Sequence, residues 1–411
     1  MKLLFGVILC FVTCSVSLAQ TLTLDHYLVI AKTNSPLLKD LRNQAGMSQL
    51  DSLKIRAGLL PQVTGSSNAL FAPVIRGFGY AGAITNVQTF SALVTVSKTL
   101  IGRNYLNSQL AGISLQRDSL NNLQKISEQD LNKSIIGQYI TAYGSLQQLK
   151  FNREVVDLLS KEEDVLKKLT RNNVYKQSDY LTFLVTLKQQ LLQLYQARQQ
   201  YKNDFATLNY LAGVADTSMK DIDEPMLEKS YTPEITQSIF YKKYEIDSLR
   251  FLNGRKLIDF SYRPKASVFA DGGYNTDFSS EAYKNFGTSF GFSVTVPIYD
   301  GHQRKLQYRR LSLQEETSKG YKAFFEVQYK QQVAQLKQQI TENENLIIQV
   351  KDQIKYTEAL IKADTQLLQT GDLKIADLIL AVNNYLTAKN LLTQTIISRL
   401  QLINQLNYWN K

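Results

Sequence analysis

Residues 286–301 read Phe286-Gly287-Thr288-Ser289-Phe290-Gly291-Phe292-Ser293-Val294-Thr295-Val296-Pro297-Ile298-Tyr299-Asp300-Gly301. Up to Val296 one parity carries Phe286, Phe290, Phe292, Val294 and Val296, with Thr288 as its one polar member. The other parity carries only Gly287, Ser289, Gly291, Ser293 and Thr295. A period of two is the signature of a strand whose two faces meet different surroundings. The run is also about as long as the 9–11 residues that a tilted strand needs to cross a bilayer. A strand of a soluble sandwich would carry charged side chains outward. Glycine, serine and threonine suit a crowded, wet barrel lumen better, with the phenylalanines and valines facing lipid. Pro297 lacks the N–H that would continue a ladder, and Asp300-Gly301 supplies a turn and a helix start.

Working outward, Ala266–Thr276 is the partner strand, reached through the mostly polar turn Asp277-Phe278-Ser279-Ser280-Glu281. The same pair occurs earlier, as Val63–Phe71 and Phe90–Leu100, joined by a loop containing Arg76-Gly77-Phe78-Gly79-Tyr80-Ala81-Gly82. The pairing of halves is general. Leu60-Pro61-Gln62-Val63 is echoed by Arg263-Pro264-Lys265-Ala266, Val94-Thr95-Val96-Ser97 by Val294-Thr295-Val296-Pro297, and Leu208-Asn209-Tyr210 by Leu406-Asn407-Tyr408. An ordered set of matches at a period of about 200 residues means a duplicated structural unit rather than a short solenoid repeat. The first copy covers 21–213, with its strand pair at about 61–100 and long helices at 103–171 and 178–211. Residues 214–233 are a linker. The second copy covers 234–411, with strands at about 264–297 and helices at 303–369 and 375–408. Each copy reads helix, two strands, very long helix, second long helix.

The helical expectation rests on three-to-four spacing, as in Leu131, Ile135, Tyr139, Tyr143, Leu146 and Leu149, with no proline from Arg103 to Arg171. Such a span would be about 100 Å long at ~1.5 Å per residue, and helices of that length imply coiled-coil packing. The fold class is thus a mixed α+β membrane protein: a β-barrel continued by long coiled helices. Four strands cannot close a membrane barrel, since known bacterial ones begin at about 8. Two chains would give a plugged lumen and three a twelve-stranded barrel with a wider bore, so a homotrimer is preferred.

The N-terminus sets the expected compartment. Met1-Lys2, the apolar run Leu3–Val12 and Ser17-Leu18-Ala19 read as a secretory signal over residues 1–20. Both cysteines, Cys10 and Cys14, fall inside it; neither follows the small residue usual before a lipid-anchor cysteine. The chain has 47 basic and 36 acidic residues, a net +11, with only two histidines. Metal clusters and histidine-based catalysis lack material, which makes most enzyme chemistries and a metal cofactor unexpected and leaves only catalysis by carboxylates open on composition. His26 and His302 have no evident triad partner, and Met47, Met219 and Met226 are scattered. The basic residues are spread along helices without a compact arginine cluster, which argues against nucleic acid.

The order of elements resembles the TolC family of outer-membrane efflux proteins over nearly all of the mature chain. The residues that carry the resemblance are Ala31-Lys32-Thr33-Asn34-Ser35-Pro36-Leu37, Leu59-Leu60-Pro61, Val296-Pro297-Ile298-Tyr299-Asp300-Gly301, Gly371 with Asp377-Leu378, and Leu402-Ile403-Asn404-Gln405-Leu406-Asn407. The resemblance implies a trimeric conduit without covalent chemistry: a barrel in the outer membrane and a helical tunnel across the periplasm. Its partners would be a periplasmic adaptor and an inner-membrane pump, in drug efflux or type I secretion. It implies adaptor contact at two interhelical tips, Asn173-Val174-Tyr175-Lys176 and Thr370-Gly371-Asp372 with Lys374. It also implies a periplasmic gate. Asp377 matches a ring-forming aspartate, while the family's second aspartate is Leu380 here. The bracing tyrosine and arginine fall on Leu368 and Leu373, and Asp179 matches a polar partner in that bracing. An apolar constriction at Leu373 and Leu380 is therefore expected. Without the barrel, the sequence would read as a secreted structural or adhesive coiled coil with no pore.

Overall fold

A computed structural model describes residues 22–79, 88–216, 218–230, 234–277 and 281–409. The signal segment with its cysteines, part of the first hairpin loop, and Phe278, Ser279, Ser280 and Pro233 lie outside the described residues. The elements run α1 (Leu24–Asn34), α2 (Pro36–Ala57), β1 (Gln62–Phe71), β2 (Gln88–Leu100), α3 (Arg103–Arg171) and α4 (Gln177–Ala212). They continue as α5 (Ile239–Ser261), β3 (Lys265–Thr276), β4 (Phe286–Thr295), α6 (Gln303–Thr370) and α7 (Ile375–Tyr408). The long helices begin and end within a residue or so of the expected limits. The first copy opens on a helix pair, joined within Ala31–Leu37. It is divided there because Ser35 is held extended (φ −66°, ψ 112°) by the proline after it and Pro36 restarts the helix at its first position.

Contacts divide the chain into two compact units. One draws its described residues from positions up to 35, 130–232 and 333–409; the other from 36–129 and 233–332. The first is a bundle whose apolar clusters include two built on α3. In one, Tyr27 and Ala31 of α1 pack against Ile135, Tyr139 and Leu146 of α3 and Tyr201, Phe205 and Leu208 of α4. In the other, Val155, Leu159 and Leu166 of α3 meet Phe183 and Leu187 of α4, Ile361 and Leu368 of α6, and Ile375, Leu378 and Val382 of α7. The spacing of three and four within each set is that of coiled-coil seams. The linker is pinned along this bundle. Tyr139 donates to the carbonyl of Asp223 at 2.8 Å, Asn209 to that of Asp216 at 2.7 Å and Tyr201 to that of Lys220. Lys150 pairs with Asp221 at 2.9 Å, and Lys229 with Glu344 at 2.8 Å.

The second unit holds the sheet. Its four strands lie in the order β1-β2-β3-β4, each pair antiparallel, so the hairpins of the two copies join edge to edge through β2 and β3. Helices are tied beneath it by polar contacts: Asn253 Nδ2 to Ser108 O at 2.9 Å, Asn122 Nδ2 to Ile239 O at 3.0 Å, and Arg255 to Glu315 at 2.5 Å.

Candidate functional site: an apolar sheet face and two helical tips

Register sorts the strand residues into two faces. Phe290 stands opposite Ala270, which stands opposite Val96, which stands opposite Val63. Successive rows on that face add Phe292 with Val268, Val294 with Ala266 and Leu100, and Phe286 with Tyr274. The side chains are uncovered: Phe290 is 92% exposed and Phe292 79%, and Phe286, Val294 and Val296 are also exposed. The opposite face carries Ser289 with Asp271 and Thr95, Ser293 with Ser267 and Thr99, and Gly291 under the ring of Phe269. A contiguous apolar face of this size on a water-facing sheet is unfavourable, so it marks a surface with an apolar partner. Strands β1 and β4 each leave one edge unpaired within the chain.

The strand-to-helix switch follows β4 directly. Pro297 lies just beyond the last ladder residue, and the chain turns through two consecutive left-handed residues, Gly301 (φ 62°) and His302 (φ 68°). Asp300 closes the turn by accepting the amides of His302 at 2.9 Å and Arg304 at 2.8 Å, which caps α6. These bonds favour the ionised form, with the Arg304 amide contributing most, and hold the Asp300 carboxyl below its ordinary range.

The two tips are the same backbone motif. After α3, Val174 N donates to Leu169 O at 3.0 Å and Asn173 N to Thr170 O at 3.1 Å, with Asn173 at φ 62°. After α6, Asp372 N donates to Leu367 O at 3.1 Å and Gly371 N to Leu368 O at 3.2 Å, with Gly371 at φ 83°. Both are Schellman turns closed by a left-handed residue. Asn173, Val174, Lys176, Thr370, Asp372 and Lys374 are exposed, while Tyr175 is half-buried against the tip cluster. Asp179 accepts the Lys176 amide at 3.4 Å and so caps α4.

The expected gate residues separate. Asp377 and Leu380 are exposed and three positions apart on α7, Leu380 at 60%. Leu368 and Leu373 are buried in the tip's own core among Leu166, Phe183 and Leu378. An apolar constriction at Leu373 is therefore not what this protomer presents: the side chain fills the inside of its own helical bundle. Leu380 remains on the surface.

Two buried acids interrupt the apolar seams. Asp364 is buried on α6, and burial, followed by the negative charge of Asp377, pushes its carboxyl up. Glu162 is buried on α3 with no hydrogen-bond partner for Oε2, and burial likewise raises it. Each takes a seam position, in Ile361-Asp364-Leu368 and Leu159-Glu162-Leu166, where an acid in an apolar heptad was the available signal. Among the described residues no group of histidine, cysteine or acidic side chains is placed to hold a metal, and no helix is long and apolar enough to cross a membrane.

No protein-family model matches the chain, and no curated protein matches it in sequence. Solved structures do match. CusC, described in terms of transmembrane channel formation, superimposes with a TM-score of 0.77 at 11% identity, over 94% of this chain and 92% of that one. The outer membrane protein VceC of Vibrio cholerae gives 0.76 at 12%, over 94% and 96%. The outer membrane channel MtrE of Neisseria gonorrhoeae, in its open state, gives 0.73 at 12%, over 94% and 88%. At such identities the likeness lies in the path of the backbone, and over that path the chain has the fold of the TolC-family outer-membrane channels.

Proposed function

We propose that the protein is the outer-membrane exit duct of a tripartite efflux or type I secretion system, acting as a homotrimer without covalent chemistry. The observation that carries this reading is the sheet: four strands, one predominantly apolar exposed face, and two free edges. Pairing of β1 with β4 of a neighbouring copy satisfies both edges at once. Three copies then make a closed twelve-stranded barrel with the Phe290 face in lipid and the Ser289 face lining a wet bore. The long helices continue the duct into the periplasm.

In this reading the exposed tips, Asn173 to Lys176 and Thr370 to Lys374, meet a periplasmic adaptor, which couples the duct to an inner-membrane pump. Three copies of Asp377 face the bore near its end and attract cations there, with Leu380 beside them. The likeness to outer-membrane channels supports this assignment. The test is the oligomeric mass of the protein extracted in mild detergent from outer-membrane fractions. A homotrimer is expected. A soluble monomer or dimer removes the barrel and the transport reading, and leaves a coiled-coil protein without a pore.

A further inference from the structure

Where β2 runs into α3 and α5 runs into β3, the second unit contains a cleft of about 460 Å³. Leu100, Tyr105 and Phe260 form apolar parts of its wall, and Arg103, Arg263 and Lys265 line it as well. No acid lines it. Among the described residues none of the three cations makes an ion pair. Asp259, next to Phe260 in the chain, is engaged by Arg304 at 2.5 Å and Tyr308 at 2.7 Å. The Arg263 guanidinium lies 4.5 Å from the centre of the Phe260 ring, and Tyr105 packs on the same ring at 5.8 Å. The Asp259 carboxylate acts on Arg263 at longer range, and stacking on Phe260 adds to the positioning of the guanidinium. The first turn of α3 opens here too, with Tyr105 N and Leu106 N donating back to Gly102 O and the amides before them left without a helical acceptor. Three cations and no acid line the cleft, and a helix N-terminus adds to the positive potential, so the cleft suits an anion.

We propose that this cleft binds the phosphate headgroup of an anionic glycerophospholipid. The inference rests on the reading of the sheet as a membrane barrel. Its observations are the position and the surroundings of the cleft. Leu100, Ala266 and Val294 form the last row of the apolar face at this end of the sheet, so acyl chains against that face bring headgroups to the level of the cleft. Lys98, exposed on the same face two residues before the end of β2, marks the same level: a basic side chain at the limit of an apolar band reaches for headgroups. The cleft is lined from β2, β3 and the helices joined to them, with no residue from the edge strands β1 and β4. Arginine is the side chain best matched to phosphate, through paired N–H donors.

The test is native mass spectrometry of the full-length protein in mixed micelles containing equal amounts of phosphatidylglycerol and phosphatidylcholine. Phosphatidylglycerol is expected to be retained preferentially. Arg103→Gln with Arg263→Gln, at unchanged oligomeric mass, is expected to weaken that retention about fivefold for each cation removed. Lys167→Gln, on the other unit, is expected to leave it unchanged. Equal retention of the two lipids, or a double variant that behaves as the parent, overturns the proposal. Displacement of the lipid by millimolar inorganic phosphate assigns the cleft to free phosphate and also overturns it. A chain that needs no detergent defeats the membrane reading and the headgroup site together, whereas a micelle-embedded chain indifferent to headgroup charge defeats the cleft alone.

Discussion

Val174 and Gly371, at the ends of two different helical hairpins, occupy the same space: the Cγ1 methyl of Val174 lies 2.7 Å from where a Cβ on Gly371 would stand. The tips are equivalent turns in a duplicated chain, yet they are not interchangeable. Asn173 closes the first turn and keeps a side chain, with φ at 62°. Gly371 closes the second at φ 83°, where a Cβ would force the Val174 side chain of the first tip to move. The two tips therefore behave as one packed structure.

Gly371→Ala meets both penalties, left-handed backbone and overlap with Val174, and is expected to destabilise the tip by about 2 kcal/mol or more. Asn173→Gly meets neither and is expected to change stability by less than about 0.5 kcal/mol. Amide hydrogen exchange of residues 166–183 and 367–382 reads both. Equal protection in the two variants would show that the Val174 contact does not lock the tips.

Glu162, 7% exposed, interrupts the α3 seam between Leu159 and Leu166 with an oxygen that finds no partner. Burial raises its carboxyl above the ordinary value of 4.5. A folded-state value above the unfolded one gives a contribution that is fully present below the unfolded value and is lost as pH rises through the folded one. Glu162→Gln abolishes that loss. The variant is expected to match the parent near pH ~4 and to exceed it by a margin that grows toward pH ~7. Denaturant midpoints at the two pH values decide it, and a constant margin would mean that the acid is already satisfied in the native state.

Phe290 and Ser289 are chain neighbours on opposite faces of β4. Phe290→Lys places a charge where lipid is expected, at a cost of about 2–4 kcal/mol per protomer near the midplane, and repetition in each copy multiplies it. Ser289→Lys places the same charge on the wet face beside Asp271. The first is expected to abolish recovery of the oligomer from membranes and the second to preserve it. The reverse result would invert the assignment of faces.

What was legible in the sequence follows from how far each signal reaches along the chain. The Phe286–Val296 alternation and the seam spacing of α3 and α6 are local periodicities, and strand and helix limits came out within one or two residues of them. Ser35-Pro36 breaks the opening helix through proline's effect on its neighbour, which is local as well. Leu368 and Leu373 were placed at a gate through matched positions, whereas the structure puts them in a core that four helices build together. Gly273 belongs to a strand that was recognised, yet its requirement comes from the Ala92 carbonyl of the neighbouring strand, against which any Cβ would clash. Closeness between segments far apart in the sequence, like that of Val174 and Gly371, has no spacing to betray it.

The anchoring of the linker was equally silent, because a tyrosine in a helical seam looks like any other apolar residue until its hydroxyl has a partner. Tyr139 is fully buried, and its hydroxyl bridges the carbonyls of Leu22 at 2.9 Å and Asp223 at 2.8 Å. It thereby ties the start of the described chain and the linker to α3. Burial, with the charge of Asp223 second, pushes the phenol far above its ordinary range, so the hydroxyl stays a donor throughout the physiological range. Tyr139→Phe keeps the ring and leaves the two acceptors without that donor, a cost of about 1–3 kcal/mol. The loss is expected to appear first as faster proteolysis between Asp216 and Lys229, with helix content unchanged. Cleavage at the parent's rate would mean that Asn209, Tyr201 and Lys150 hold the linker unaided.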